Sequence, residues 1–156
     1  MIRDAHSGDA SAVAEIWNAV IRDTVITFTT IEKTLEEVEN RIETGPFLVA
    51  EQDRKVLGFA TFGPFRSGPG YADAVEQTIY LAPAAQGRGI GAPLLRALET
   101  QAVALGMKHL VAVISGSNII ARRFHAKAGF SEVGQMRDIG VKFGTRHDLI
   151  FMMKKL

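Results

Sequence analysis

Ala74-Val75-Glu76-Gln77-Thr78-Ile79-Tyr80-Leu81, continued by Ala82-Pro83-Ala84-Ala85-Gln86-Gly87-Arg88-Gly89-Ile90-Gly91, is the stretch on which the fold of this chain turns. Its β-branched and aromatic residues make Ala74 to Leu81 a strand. A polar glycine loop follows, and beyond it Leu94, Leu95, Leu98, Ala102 and Leu105 recur at helical spacing until Gly106, the residue type that stops helices. Leu110-Val111-Ala112-Val113-Ile114 is then an unbroken apolar run, the pattern of a strand covered on both faces. Strand, helix and strand in that order form a parallel βαβ crossover.

Outward from this unit the chain reads as simpler elements. Ile2-Arg3-Asp4-Ala5 is a short strand, and Asp9 is placed to cap a helix with Val13, Ile16, Trp17, Val20 and Thr24 on one buried stripe. Thr34 to Ile42 repeats the pattern on a narrower face of Leu35, Val38 and Ile42, stopped by Gly45-Pro46. Phe47 to Glu51 and Val56 to Phe62 flank the polar Gln52-Asp53-Arg54-Lys55 and predict an antiparallel hairpin. Gly63 to Gly70 is rich in glycine and proline. Downstream, a short helix with Ala121, Phe124, His125 and Ala128 on one face ends at Gly129, and two last strands are predicted over 130–141 and 147–154. The order β-α-α-β-β-β-α-β-α-β-β predicts an α/β sandwich around one mixed sheet, a single domain over 1–156.

Composition narrows the function. Eighteen Lys and Arg against seventeen Asp and Glu leave a net charge of +1, so no bulk field draws nucleic acid or an anionic membrane. With 47% hydrophobic residues the chain can bury a core without staples, and with no cysteine it has no disulfide, no thiolate nucleophile and no cysteine-based zinc site. Neither an export segment nor a membrane span is indicated, which predicts a cytoplasmic protein; no metal is expected. The fifteen glycines are the compositional oddity, because glycine costs backbone entropy wherever it is not needed.

Gly87, Gly89 and Gly91 lie where a strand runs into a helix. Free backbone N–H groups and the helix dipole there favour an anion, and Arg88 adds a cation. A pyrophosphate is the expected guest, with a tight ligand-free turn as the plain alternative. Gly87-x-Gly89-x-x-Ala92 satisfies the degenerate dinucleotide fingerprint, but it does not follow the first strand and no carboxylate lies in the strand after the helix. Gly91-Ala92-Pro93 also lacks the Gly-Lys-Ser/Thr of a P-loop.

Read as Gln-x-x-Gly-x-Gly, Gln86-Gly87-Arg88-Gly89-Ile90-Gly91 resembles the acyl-CoA signature of the GNAT acetyltransferases, and the element order matches that family over essentially the whole chain. Several stretches are similar to its phosphinothricin and methionine sulfoximine acetyltransferase branch: Gly63-Pro64-Phe65-Arg66, Tyr71, Val75 to Leu81, Val111 to Ile114, and Gly140-Val141-Lys142-Phe143-Gly144 leading to His147-Asp148. The resemblance implies a mostly antiparallel sheet with helices on both faces, acetyl-CoA as co-substrate, and direct acetyl transfer to a primary amine of a small amino acid or analogue such as phosphinothricin, methionine sulfoximine or methionine sulfone. Acetylation of a protein or peptide amine, or acyl-CoA sensing without turnover, are the alternatives. It also implies a homodimer.

Residue by residue, the resemblance places Ile79 and Leu81 along the pantetheine arm through their backbones and Gln86, Gly87, Arg88, Gly89, Ile90 and Gly91 around the pyrophosphate. Glu76, Thr78 and Tyr80 share one face of their strand. A carboxylate within a central strand needs a partner or a task; the resemblance implies a general base at Glu76, with an internal salt bridge as the alternative. Asn118 is a good helix cap by residue type and, by resemblance, a cofactor contact. His125 stands where the family protonates the leaving thiolate, or else is a core histidine. Tyr80 is a second candidate donor, or packing. Phe28, Arg66 and Tyr71, together with Glu76, are the expected acceptor contacts; Arg66 offers a fork for a carboxylate, and on a loop it is otherwise solvated. His147 and Asp148 form a pair near the substrate or steady the last strand.

Overall fold

A computed structural model describes residues 1–156. The strands are β1 (Ile2–Asp4), β2 (Phe47–Gln52), β3 (Lys55–Pro64), β4 (Ala74–Leu81), β5 (His109–Ser115), β6 (Ser131–Lys142) and β7 (Thr145–Lys155); the helices are α1 (Ala10–Asp23), α2 (Leu35–Thr44), α3 (Gly91–Ala104) and α4 (Ile119–Lys127). All strands form one sheet in the order β1-β2-β3-β4-β5-β7-β6, antiparallel throughout except for the β4–β5 pair. The mixed sheet with its central crossover is therefore the architecture predicted from sequence, and no helix is long and apolar enough to cross a membrane.

Strand alternation builds a core on each face. Leu48 and Ala50 of β2, Ala60 and Phe62 of β3, Val75 of β4 and Leu110, Ala112 and Ile114 of β5 pack under α3 through Leu94, Leu95, Leu98 and Ala102. Phe47, Val49 and Phe59 face the other way and meet Val13 and Ile16 of α1 and Val38 and Ile42 of α2. Trp17 joins this second core, 5.0 Å from the Phe59 ring centroid.

Local chemistry differs from expectation at two helix ends. Asp9 gives α1 no side-chain cap; its carboxylate takes a bidentate bond from Arg3 (2.7 and 2.9 Å) and accepts from the His6 N–H, so a short 3-10 turn leads into the helix instead. Leu105, expected on the α3 stripe, is exposed at the helix end, and Met107 packs against the core from beyond Gly106. Gly45 stops α2 in an extended conformation, and its missing side chain leaves room for the Arg41 guanidinium. Thr34 does cap α2, in a reciprocal box with Glu37.

Candidate active site

The β4–β5 pair is the feature that creates a site. Only Ala74, Val75 and Glu76 are in register with His109, Leu110 and Val111, after which the parallel strands part. On its other edge β4 stays paired to β3 as far as Leu81. Ala82 donates to Leu57 O (2.8 Å) and Phe65 donates to Ala74 O (3.1 Å), which fixes the alternation: the backbones of Ala74, Glu76, Thr78 and Tyr80 bond β3. The backbone groups of Gln77, Ile79 and Leu81 therefore face the opening between β4 and β5, a row of polar groups that β5 does not reach.

Side chains of the same strand divide between the two faces. Glu76, Thr78 and Tyr80 lie on the face of α1 and α2, opposite Gly63, Thr61 and Phe59 respectively. Glu76 is half-buried and forms no ion pair or hydrogen bond, and burial alone pushes its carboxyl above the ordinary glutamate value. The internal salt bridge offered as its alternative is absent. The Tyr80 ring meets Phe59 edge to face at 5.7 Å. Burial raises its hydroxyl to about 12, a rise opposed by the neighbouring Thr27 side chain and reinforced by the charge of Glu76.

Thr27 belongs to the irregular stretch between α1 and α2, which crosses to the far end of the sheet. Phe28 seats on Gly140, where any Cβ would collide with its ring, and stacks on His147 at 5.4 Å between centroids. Beside it the Lys142 ammonium is drawn into the protein, donating to Ile21 O (2.5 Å) and Thr27 O (2.8 Å). An open cleft of about 520 Å³ lies next to these groups, lined by Thr24, Val25, Ile26, Ser117, Asn118 and Phe143. His147 and Asp148 do not bond each other. His147 contacts Lys142 O, while Asp148 accepts from the Asp138 N–H (2.8 Å) and Gln135 Nε2 (3.1 Å) and so pins the irregular part of β6.

On the opposite face stands His125, expected either as an acid or as a core histidine. It is 3% exposed, packed edge-on to Phe124 and Phe130. Its Nδ1 lies 2.8 Å from Ala121 O, an acceptor only, so Nδ1 carries the proton; its Nε2 lies 2.8 Å from Gln77 Nε2 and accepts. Burial holds the ring below the usual histidine value, the Ala121 carbonyl opposing. Both nitrogens are thus committed and no proton is free for a leaving group, which favours the core histidine over the acid. Gln77, unmarked by sequence reasoning, completes this pair and keeps its Oε1 buried without a partner.

The glycine loop has the expected openness. Gly87 (φ +73°) and Gly89 (φ +77°) adopt left-handed conformations with open space where side chains would stand, whereas Gly91 is small because Phe124 packs 3.2 Å from the position of its absent Cβ. Gln86 and Arg88 are exposed and Ile90 packs on the core; Arg88 donates to Gln52 Oε1 (2.7 Å). Asn118 caps α4 by accepting from the Ala121 N–H (3.1 Å), leaving its amide nitrogen uncommitted. Arg66 sits over the Tyr71 ring at 5.6 Å, both exposed on a turn opened by Gly68 (φ +105°). Open glycine backbone at the start of α3 and unpaired strand backbone at Ile79 and Leu81 suit a long ligand with a pyrophosphate and an amide-bearing arm, so the residues present fit acetyl-CoA.

Comparison with known proteins agrees. The acetyltransferase (GNAT) family model matches residues 13–130. A phosphinothricin N-acetyltransferase of Streptomyces coelicolor is 34% identical over 99% of this chain and 95% of its own length. An L-methionine sulfoximine/L-methionine sulfone acetyltransferase of Salmonella typhimurium is 37% identical over 99% and 94%. The yncA protein of Salmonella typhimurium, solved with acetyl-CoA, superposes with a TM-score of 0.97 at 35% identity, covering 100% of this chain and 93% of that one. Family model, full-length relatives and shared architecture together place this chain in the acetyltransferase (GNAT) family, enzymes that take their acetyl group from acetyl-CoA.

Proposed function

We propose that the protein is one N-acetyltransferase domain, working in the cytoplasm, that acetylates the primary amine of a small amino acid or analogue of the phosphinothricin, methionine sulfoximine or methionine sulfone type. The observation that carries this reading is Glu76, a half-buried carboxylate with no partner, at the point where β4 and β5 part and with its proton affinity raised by burial. A structural carboxylate would be paired. One held alone, with its pKa moved toward neutrality, suits the removal of a proton from an amine.

Acetyl-CoA supplies an activated thioester. Ile79 and Leu81 hold the arm through backbone N–H and C=O groups, and the N–H of Leu81 is the donor for charge developing on the carbonyl oxygen. Gln86 to Gly91 receive the pyrophosphate at the start of α3, and the Asn118 amide nitrogen bonds the arm from the β5 side. Glu76, directly or through a water, takes the proton that the amine loses as its nitrogen bonds the carbonyl carbon and the carbon–sulfur bond breaks. The departing sulfur takes a proton from Tyr80 O–H, which at about 12 is protonated at neutral pH and shares the face of Glu76. Phe28 walls the acceptor, and Arg66 beside Tyr71 takes its carboxylate. No metal takes part in the proposed transfer.

The assembly proposed is a homodimer. β6 is an edge strand whose Val133, Ile139 and Val141, with Phe143 in the following turn, are exposed, and a second copy covers such an edge. Thiol release from acetyl-CoA over a panel of amino acids and analogues tests the activity. Turnover only with peptide or protein amines would replace the acceptor class, and tight acetyl-CoA binding without any turnover would make the protein a sensor.

A further inference from the structure

We propose that Lys142 is the positioning residue for the acceptor side of the site, a reading that rests on the acceptor assignment above. The stretch between α1 and α2 has no regular secondary structure, so side chains must hold it. Asn18 holds its far end, bonding Lys33 N–H and C=O at 2.7 and 2.9 Å. Thr24 ties its start to Val20 O (2.6 Å). The middle, Thr27 and Phe28, carries the groups that stand against Tyr80 and over Gly140, and the Lys142 ammonium anchors its backbone through Thr27 O.

The ammonium is costly where it is. Lys142 is 2% exposed, has no carboxylate within ion-pair distance, and is satisfied by two carbonyls, with the Phe143 ring 5.2 Å away. Ile21 O belongs to the last turn of α1, where the partial negative charge of the helix end favours a cation. One ammonium therefore locks the end of α1 to the middle of the stretch and both to the β6–β7 hairpin. Through Thr27 the lock reaches the Tyr80 hydroxyl, and through Tyr80 the neighbourhood of Glu76. Lys142 touches none of the reacting atoms; it sets the wall against which an acceptor is placed.

The test is Lys142→Met, which keeps the stem and removes the donors, followed by steady-state thiol release with methionine sulfoximine as acceptor and by hydrogen exchange. The acceptor KM should rise about tenfold to a hundredfold, the penalty of a displaced substrate, with the acetyl-CoA KM held within about twofold. Exchange should speed up at Thr24 to Thr34 and stay unchanged in α3 and β5. Equal rises in both KM values, or an unaltered acceptor KM with faster exchange, would overturn the proposal. If Lys142→Met does not accumulate as folded protein, Lys142→Arg carries the same test: its bulkier head pushes Thr27 outward, and the same split between the two KM values is required. A wild-type enzyme inactive on every small amine would refute the acceptor class instead, and the exchange pattern would still decide whether Lys142 holds the stretch.

Discussion

Replacing Glu76 by Gln keeps the shape of the side chain and removes its charge, and the structure says how much should change. The carboxylate makes no hydrogen bond or ion pair, so the amide leaves no partner stranded. Stability should hold or improve slightly, because a charge kept half-buried at a cost is gone. The sign follows from proton binding. With its folded pKa raised above the unfolded value, the native protein holds the Glu76 proton over a window where the unfolded chain has released it. Wild-type stability therefore falls as pH rises through that window, and the gain of Glu76→Gln is complete only above the folded pKa. Catalysis should move the other way. A positioned general base is worth about a hundredfold to ten-thousandfold, roughly 3 to 5 kcal/mol, in kcat/KM. The assay is thiol release over pH for both proteins at matched acceptor, with melting curves at each pH. Acceptor amine ionisation affects both proteins alike, so the ratio of their rates isolates Glu76 and should rise with pH to a plateau whose midpoint lies above the ordinary glutamate value. A variant within about threefold of the wild type across the range would remove Glu76 as the base.

His125→Leu should behave as a core mutation: Gln77 Nε2 loses its acceptor inside the protein, costing about 1–3 kcal/mol of stability, while kcat at a permissive temperature stays near wild type. Because the folded His125 pKa is lowered, the unfolded chain binds its proton first and wild-type stability drops as pH falls below the ordinary histidine value; melts of His125→Leu should lack that drop. A loss of kcat as large as that of Glu76→Gln would restore His125 as the proton donor. Gly89→Ala places a side chain at φ +77° with no steric neighbour, so its cost is conformational, about 1–2 kcal/mol. Isothermal titration should show weakened acetyl-CoA binding with the acceptor KM unmoved, and unchanged affinity would sink the pyrophosphate assignment. Val141→Asp puts a charge on the exposed β6 edge; sedimentation should show a shift from dimer to monomer, and a wild-type protein that sediments as a monomer refutes the dimer outright.

The elements were legible because their signals are local. The apolar run from Leu110 to Ile114 and the period of Leu94, Leu95 and Leu98 are properties of neighbouring residues, and each led to the right element. The start of α1 was less so, since Asp9 is a good cap by residue type and its pairing with Arg3 instead depends on where β1 holds that guanidinium. The same limit hid the two buried polar groups that matter most. Gln77 and His125 are 48 positions apart and Lys142 and Thr27 are 115 apart; nothing in either local pattern marks the partner. The Gln77 and Lys142 side chains become buried only when distant parts of the chain close over them.

Glu76 and Ile79 illustrate how much of the site reduces to one strand's period. β4 has three uses at once: backbones of even-numbered residues bond β3, backbones of odd-numbered residues face the opening beside β5, and the side chains of those two sets point to opposite cores. Cofactor-facing backbone and acceptor-facing side chains therefore come from alternate residues of one element, and their mutual placement is set by the pleat rather than by flexible loops. A slip of one residue against β3 would send Glu76 under α3, bring the apolar Val75 to the acceptor face and turn the bonded backbone groups toward the opening. Register here is fixed by packing, because Val75 belongs to the core beneath α3 and Tyr80 lies against Phe59. The burial that holds β4 in place is thus also what keeps a lone carboxylate at the edge of the opening, so mutations that loosen the register should cost activity before they cost the fold.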